Sequence, residues 1–209
     1  LATDEIAVCF IKLDDEREKH KLLFYTSLGM IKLTEMSEYI INKTYFQAIK
    51  MRDDEKLIGV EIFKSSGGVL FVSKNSMALH FEKDDIPRQK RSSGGVKGMN
   101  IEEDDEVIFA KQISKGGDIT LITDGGYAKK VNIAEFGISA RYRKGLRSIA
   151  LIGNSKRVVY ASFGEENECV AMITTDGIKQ ADKIPQSARV GEGKKIVDAK
   201  VVDAYIYRQ

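Results

Sequence analysis

The stretch Arg88–Met99 reads R-Q-K-R-S-S-G-G-V-K-G-M, with four positive charges, no acid and three glycines in twelve residues. Residues of these types can do one kind of chemistry well. Guanidinium and ammonium groups hold phosphate oxygens, and glycine lets backbone N–H groups approach the same anion. A second stretch, A-R-Y-R-K-G-L-R-S-I (Ala140–Ile149), looks like a copy of the first. The acids stay away from both. Arg88, Lys90, Arg91 and Lys97 have no Asp or Glu between Ile86 and Ile101, and Arg141, Arg143, Lys144, Arg147, Lys156 and Arg157 have none between Phe136 and Gly164. Farther on, Arg189, Lys194 and Lys195 face Glu192 alone. The acids gather instead at Asp53-Asp54-Glu55, from Glu102 to Glu106, and at Glu165, Glu166 and Glu168.

What positions these stretches is a repeat. Four segments share a shape: Leu22–Tyr39, Val69–Ile86, Ile119–Phe136 and Cys169–Gln186. Each opens on an apolar run that ends in a hydroxyl (Thr26, Ser73, Thr123, Thr174), and three residues later comes a turn residue (Gly29, Ser76, Gly126, Gly177). The intervals between these turn residues are 47, 50 and 51. This is hairpin chemistry, because a tight reversal needs a residue that tolerates positive φ. Each copy continues through a polar turn to a further apolar strand. Four strands per period of this length, with short turns, are the arithmetic of a propeller blade.

The expected fold is therefore all-β, a single domain over residues 1–209, with repeats near 22–68, 69–118, 119–168 and 169–209. Asp4–Ile11 reads as the last strand of a preceding unit, so residues 4–12 are expected to complete an adjacent blade. Evidence for helix is thin: Met36–Lys43 could form one turn, but Ile40-Ile41 and Thr44-Tyr45-Phe46 pull toward strand. If equivalent phases of the repeat fall on one circumference, the basic stretches make a discontinuous positive band with the acidic turns off it. The competing reading is ordinary solvated loops whose lysines keep strand edges soluble.

Composition excludes several classes. With 43% hydrophobic and 31% charged residues the chain is globular, and its formal net charge of +2 advertises no partner by itself. Cys9 and Cys169 have no metal-ligand spacing and read as buried free thiols of a reducing cytosol. The two histidines, His20 and His80, are too scattered for a metal cluster. No apolar run has membrane-spanning length. The opening L-A-T-D-E lacks the features of a leader, and the abrupt start at a strand points to a piece of a longer chain.

Taken together, L-L-F-Y-T-S-L-G-M-I-K-L-T-E-M-S-E-Y and I-T-L-I-T-D-G-G-Y-A-K-K-V-N-I-A-E-F, followed by G-G-V-K-G-M and R-K-G-L-R-S-I, resemble the blades of the C-terminal domain of bacterial type IIA topoisomerase A subunits, those of DNA gyrase and topoisomerase IV. The resemblance covers essentially the whole chain and is specific as a repeated set. It implies a β-pinwheel, a propeller-like array of about four blades in which neighbours exchange strands, and a domain that binds and bends duplex DNA on a basic rim. Arg88, Lys90, Arg91, Lys97, Arg141, Arg143, Lys144, Arg147, Arg189, Lys194 and Lys195 are the expected DNA-binding residues. The implied partners are duplex DNA, the ATPase B subunit plus the rest of the A subunit, in the cytoplasm on the nucleoid. The parent enzyme is expected to use ATP and Mg2+, and the domain no cofactor. Gln89–Gly98 holds the letters of the gyrase basic box with Ser92-Ser93 and Val96 inserted, a departure that favours topoisomerase IV over gyrase.

No catalytic set is expected in this chain. The family's DNA-cleaving tyrosine lies in an earlier region, and Tyr25, Tyr39, Tyr45, Tyr127, Tyr142, Tyr160, Tyr205 and Tyr207 read as core or rim aromatics. The glycine pairs lack nucleotide-loop spacing, and Asp104-Asp105 in its acidic turn is expected to be solvated. The rival function is a protein-interaction propeller that uses its face rather than its rim.

Overall fold

The computed structural model describes residues 5–12, 16–164, 169–181 and 183–207. In chain order the strands are β1 (Lys21–Thr26), β2 (Met30–Glu35), β3 (Leu57–Ile62), β4 (Gly68–Ser73), β5 (Met77–Glu82), β6 (Val96–Lys97), β7 (Val107–Ile113), β8 (Asp118–Thr123), β9 (Tyr127–Asn132), β10 (Leu146–Arg147), β11 (Val158–Gly164), β12 (Cys169–Thr174), β13 (Gly177–Ala181), β14 (Lys194–Lys195) and β15 (Val201–Tyr207). Helical structure among the described residues is limited to single 3-10 turns at Arg17–Lys19, Met36–Tyr39 and Ile133–Glu135. The second of these lies where sequence left turn and strand in competition, and residues 40–46, which pull toward strand in sequence, form none.

The strands form four antiparallel sheets, ordered β3-β1-β2-β6, β10-β5-β4-β7, β11-β8-β9-β14 and β13-β12-β15. In the first three, a two-residue strand comes from the following repeat. Val96 pairs with Ile31, Leu146 with Ala78, and Lys194 with Ala128. This is the strand exchange of a β-pinwheel. Residues 5–12 take no regular secondary structure, so the strand expected over 4–12 is not formed there; Asp4 lies outside the described residues.

Two edges of each blade have different neighbours. The long strands β3, β7, β11 and β15 pack one against the next and form a spine. The exchanged strands β6, β10 and β14 lie on the opposite edge of their sheets. The apolar runs of the sequence are unbroken rather than alternating because the inner sheets bury both faces. Leu23, Tyr25, Ile31 and Leu33 pack with Val69, Phe71, Leu79 and Phe81 between the first two sheets. Leu70, Val72 and Ala78 pack with Ile119, Leu121 and Val131 between the next two, and Ile122 and Ala128 pack with Val170, Met172 and Val201.

The hydroxyl that closes each first arm explains the register of the repeat. Thr26, Ser73 and Thr123 each accept from the backbone N–H four residues on, at 3.3, 3.2 and 3.2 Å. The turn residue between them is left-handed at Gly29, Ser76, Gly126 and Gly177, with φ of 73, 67, 80 and 105°. The same hydroxyls reach the acidic turns about one blade-half later. Thr26 donates to Glu55, and Ser73 donates to Asp105 Oδ2 at 2.6 Å. In the third blade Thr123 pairs with Ser155 at 2.8 Å. Asp105 also accepts the N–H groups of Asn75 and Glu106, both at 2.8 Å, and is buried. The expectation of a solvated acidic turn is therefore corrected: Asp104 is exposed, but Asp105 and Glu55 bind the hairpin turn to the next strand. The cluster at Glu165, Glu166 and Glu168 lies outside the described residues.

Candidate nucleic-acid interface

Each basic stretch is the lead-in to an exchanged strand, which puts it on the edge away from the spine. It enters on a bond to the adjoining hairpin: Gln89 N donates to Leu33 O at 2.8 Å, Ser139 N to His80 O at 2.9 Å and Ser187 N to Lys130 O at 3.0 Å. It then turns back at a glycine pressed against that hairpin. A Cβ on Gly145, at φ +84°, would stand 2.4 Å from the carbonyl oxygen of Ala78, and Gly95 and Gly193 make the same approach to Ile31 and Ala128. So these glycines serve the loop's contact with its own sheet. That is a different task from admitting phosphate, the role expected from sequence.

Successive stretches are joined to one another. Arg141 Nη1 donates to the carbonyl of Lys97 at 3.0 Å, and Arg189 Nη1 to the carbonyl of Arg147 at 2.9 Å. Arg91 makes the corresponding bond, at 2.7 Å, to Gln47 in the shorter loop of the first repeat. Backbone bonds run alongside: Lys50 N to Ser93 O, Asn100 N to Arg143 O and Ala150 N to Gly191 O, at 3.2, 3.0 and 3.1 Å. The basic stretches thus form one connected edge that crosses three blade boundaries.

The match to known proteins follows this layout. Residues 20–64, 69–114 and 117–176 fit the family model described as the DNA gyrase C-terminal domain, beta-propeller. The chain belongs to that family. Among curated relatives, the DNA gyrase A subunit of Buchnera aphidicola subsp. Baizongia pistaciae is 26% identical over 178 residues, 85% of this chain and 21% of that protein. The DNA gyrase A subunit of Staphylococcus aureus strain MRSA252 is 25% identical over 204 residues, 94% of this chain and 23% of that one. The chain spans less than a quarter of the length of either. Of solved structures, the crystal structure of the C-terminal domain of DNA topoisomerase IV superposes with a TM-score of 0.91 at 23% identity, over 100% of this chain and 68% of that chain. The structure of the DNA gyrase A C-terminal domain does so with 0.75 at 20% identity, over 92% of this chain and 67% of that chain. Both likenesses establish the pinwheel fold, and the domain is homologous to the C-terminal domain of type IIA topoisomerase A subunits.

Within this gyrase-type domain the expected DNA-binding residues do not stand alike. Arg88 is paired with Glu35 at 3.2 Å, Lys90 with Glu38 at 2.8 Å, and Lys144 with Glu102. The Lys90 ammonium holds the Glu38 carboxyl below its ordinary range. Arg91, Arg141 and Arg189 are half-buried and use guanidinium N–H groups to join the loops. Lys195 is half-buried over the Tyr127 ring at 5.0 Å, with Asp198 at 3.8 Å. Among the described residues, exposed cations on this edge without a carboxylate partner are Lys97, Arg143, Arg147 and Lys194. Lys97 lies over the ring of exposed Tyr142 at 5.0 Å.

Sequence reading missed two residues, Lys32 and Lys129, which are fully buried in β2 and β9 directly beneath the basic loops. The one available signal was a lysine at the same phase of an otherwise apolar return arm. The cysteines also differ from expectation: both are free, but Cys9 is exposed and Cys169 half-buried.

Proposed function

We propose that this domain binds duplex DNA without sequence preference along the exchanged-strand edge and guides it to the strand-passage machinery of a type IIA topoisomerase. The observation that carries this reading is the connection of one basic loop to the next by Arg141 to Lys97 and Arg189 to Arg147. It makes three separate patches into a track. Phosphates recur along duplex DNA, so a continuous row of cations gains affinity by counterion release at each contact. Loops tied to their neighbours also lose less freedom on binding than independent loops would.

In this reading the domain itself is non-catalytic. Its partners are duplex DNA, the ATPase B subunit plus the remainder of the A subunit. The parent acts in the cytoplasm with ATP and Mg2+. Topoisomerase IV is favoured as the parent over gyrase, because Ser92-Ser93 and Val96 interrupt the basic box. Supercoiling and decatenation assays of the full enzyme with and without residues 1–209 separate the two.

The test of binding is a salt titration with a random-sequence duplex. Contacts from the four free cations predict a slope of log K against log salt of about −3 to −4, and the ion-paired cations make it steeper. A flat slope overturns the reading. Charge reversal at Arg143, Arg147 and Lys194 together abolishes measurable binding while the far-ultraviolet spectrum stays that of the wild type.

A further inference from the structure

Lys32 and Lys129 occupy the same place in the first and third blades, three residues after the left-handed Gly29 and Gly126. Both side chains have 0% exposure and neither has a carboxylate in hydrogen-bond reach among the described residues. What each ammonium has instead is neutral oxygen, some or all of it from a basic loop. Lys129 Nζ donates to the carbonyls of Ala188, Arg189 and Gly191 at 2.8, 2.8 and 2.7 Å, so that a turn of the third basic loop is gathered around one charge. Lys32 Nζ donates to Arg91 O in the first loop at 2.5 Å, to Ala48 O at 3.0 Å and to Tyr39 Oη at 3.2 Å, beneath the rings of Phe24 and Tyr39. Three N–H groups meet three oxygens in each case. Tyr39 Oη also donates to Ala48 O at 3.0 Å, closing the cage.

Such a group is an expensive way to stabilise a sheet. Burial pushes both lysines down to about 8, with the charges of Arg91 and Arg189 adding to the effect and those of Glu38 and Glu135 opposing it. A charge buried without a counter-ion carries a desolvation cost that its hydrogen bonds only partly offset, and an apolar side chain can stand in its place. The second blade illustrates this, since Leu79 fills the equivalent position and the loop above it encloses a cleft lined by His80, Phe136, Ser139 and Gly145. The benefit of the lysine must therefore be sought in the loop. Its carbonyls carry partial negative charge that would repel phosphate if they faced outward. Turned onto the ammonium, they leave Arg91 and Arg189 free to span to Gln47 and Arg147. The buried charge also adds to the positive potential of the edge.

We propose that Lys32 and Lys129 are positioning residues of the DNA-binding edge, each holding a basic loop in its binding shape by drawing loop carbonyls inward, three for Lys129 and that of Arg91 for Lys32. This rests on the DNA-binding reading above and extends it to residues that never touch DNA.

The test takes Lys32→Met, Lys129→Met and the double variant, made in residues 1–209 within their parent protein, and measures binding to a random-sequence duplex together with amide exchange. The thermal midpoint of each variant is expected within about 4 °C of the wild-type value, relief of the buried charge offsetting most of the loss of its hydrogen bonds. Exchange should rise at least tenfold in residues 88–93 for Lys32→Met and in 186–191 for Lys129→Met, each leaving the other loop unchanged. Duplex affinity should fall about fivefold per variant. Unchanged loop exchange, or an affinity loss that merely follows a lowered thermal midpoint, overturns the proposal. A wild-type protein that does not bind duplex overturns the DNA-binding reading instead, and the loop-specific exchange then decides the positioning role by itself.

Discussion

Arg141 in the second basic loop donates from Nη1 to the carbonyl of Lys97 in the first, 3.0 Å away and 44 residues earlier in the chain. Its Nε takes the carbonyl of Asp85 at 3.2 Å, so one guanidinium holds two segments of the preceding repeat. Arg189 repeats the span to Arg147. The planar fork of arginine suits this task, whereas a lysine would offer a point charge with no fixed pair of directions. A residue that reads from sequence as a phosphate ligand thus spends its guanidinium, in the folded domain, on joining two basic loops.

Replacing Arg141 by Met is therefore expected to act twice. Loss of two charge-assisted hydrogen bonds at a half-exposed site should lower stability by about 1 kcal/mol. Duplex affinity should fall by more than it does for Arg147→Met, although each removes one charge. Urea unfolding and duplex titration measured on both variants check this. Equal losses of affinity would mean that the link contributes nothing.

The ion pairs sort the remaining cations. Neutralising Arg147 or Lys194, which have no carboxylate partner among the described residues, should reduce the salt slope by about 1 each. Neutralising Arg88 or Lys90 should reduce it by about half as much, because Glu35 and Glu38 already offset their charge. The measurement is log K against log salt for the four Gln variants. Identical slopes across the set would show that the pairs dissolve when DNA binds.

Asp105 and its neighbour offer a contrast within one acidic turn. Asp105→Ala removes bonds to Ser73, Asn75 and Glu106 and leaves the buried Ser73 hydroxyl without its carboxylate, a loss of about 3 kcal/mol. Asp104→Ala, on the exposed side of the same turn, should change stability by less than about 0.5 kcal/mol. Denaturant midpoints decide it, and similar values for the two would refute the hairpin-closing role of Asp105.

How far the chain could be read ahead of the structure follows from the range of each interaction. The hairpins were legible because hydroxyl, turn residue and return arm lie within a few residues, as at Thr123, Gly126 and Ala128. The exchange of Val96, Leu146 and Lys194 into the preceding sheet cannot be read from two-residue strands, and here it followed only from resemblance. Asp105 looked solvated because its partner, Ser73, lies 32 residues away. Lys32 and Lys129 were passed over because lysine in a strand ordinarily marks an exposed face; only the loops packed above them reverse that reading. The basic stretches form loops except at Lys97, Arg147, Lys194 and Lys195, which lie in exchanged strands, and whether a given cation meets a carboxylate or a carbonyl depends on the blade beside it.

The turn positions make a prediction in both directions. Gly126 sits at φ +80° with the carbonyl oxygen of Val197 2.2 Å from where a Cβ would be. Gly126→Ala should cost about 3 kcal/mol or more, as backbone strain and a collision with unyielding backbone combine. Ser76 holds the same conformation, φ 67°, with a side chain. Ser76→Gly should stabilise the second blade by about 0.5 kcal/mol, the relief of the left-handed strain exceeding the added freedom of glycine in the unfolded chain. Thermal midpoints should move in opposite directions, and a downward shift for Ser76→Gly would show that Ser76 is unstrained.

His80 is a half-buried titratable group of the second blade. Its Nδ1 lies 3.3 Å from the carbonyl of Phe136, to which it donates, while Nε2 is buried and finds no partner among the described residues. Burial is the main reason its proton affinity is lowered; the bond to Phe136 and the charge of Glu82 oppose the shift without cancelling it. The unfolded chain therefore binds a proton at this residue before the folded one does. Stability from this group is fully present above the ordinary histidine value of about 6.5 and declines as the pH falls through and below it, by at most about 1.4 kcal/mol per pH unit. Leu33 occupies the corresponding position of the first blade, so His80→Leu keeps an apolar side chain that the repeat already tolerates. The variant should lose part of the dependence of unfolding free energy on pH between 7 and 5, measured with urea at each pH. Parallel curves for the two proteins would show that the acid sensitivity arises elsewhere.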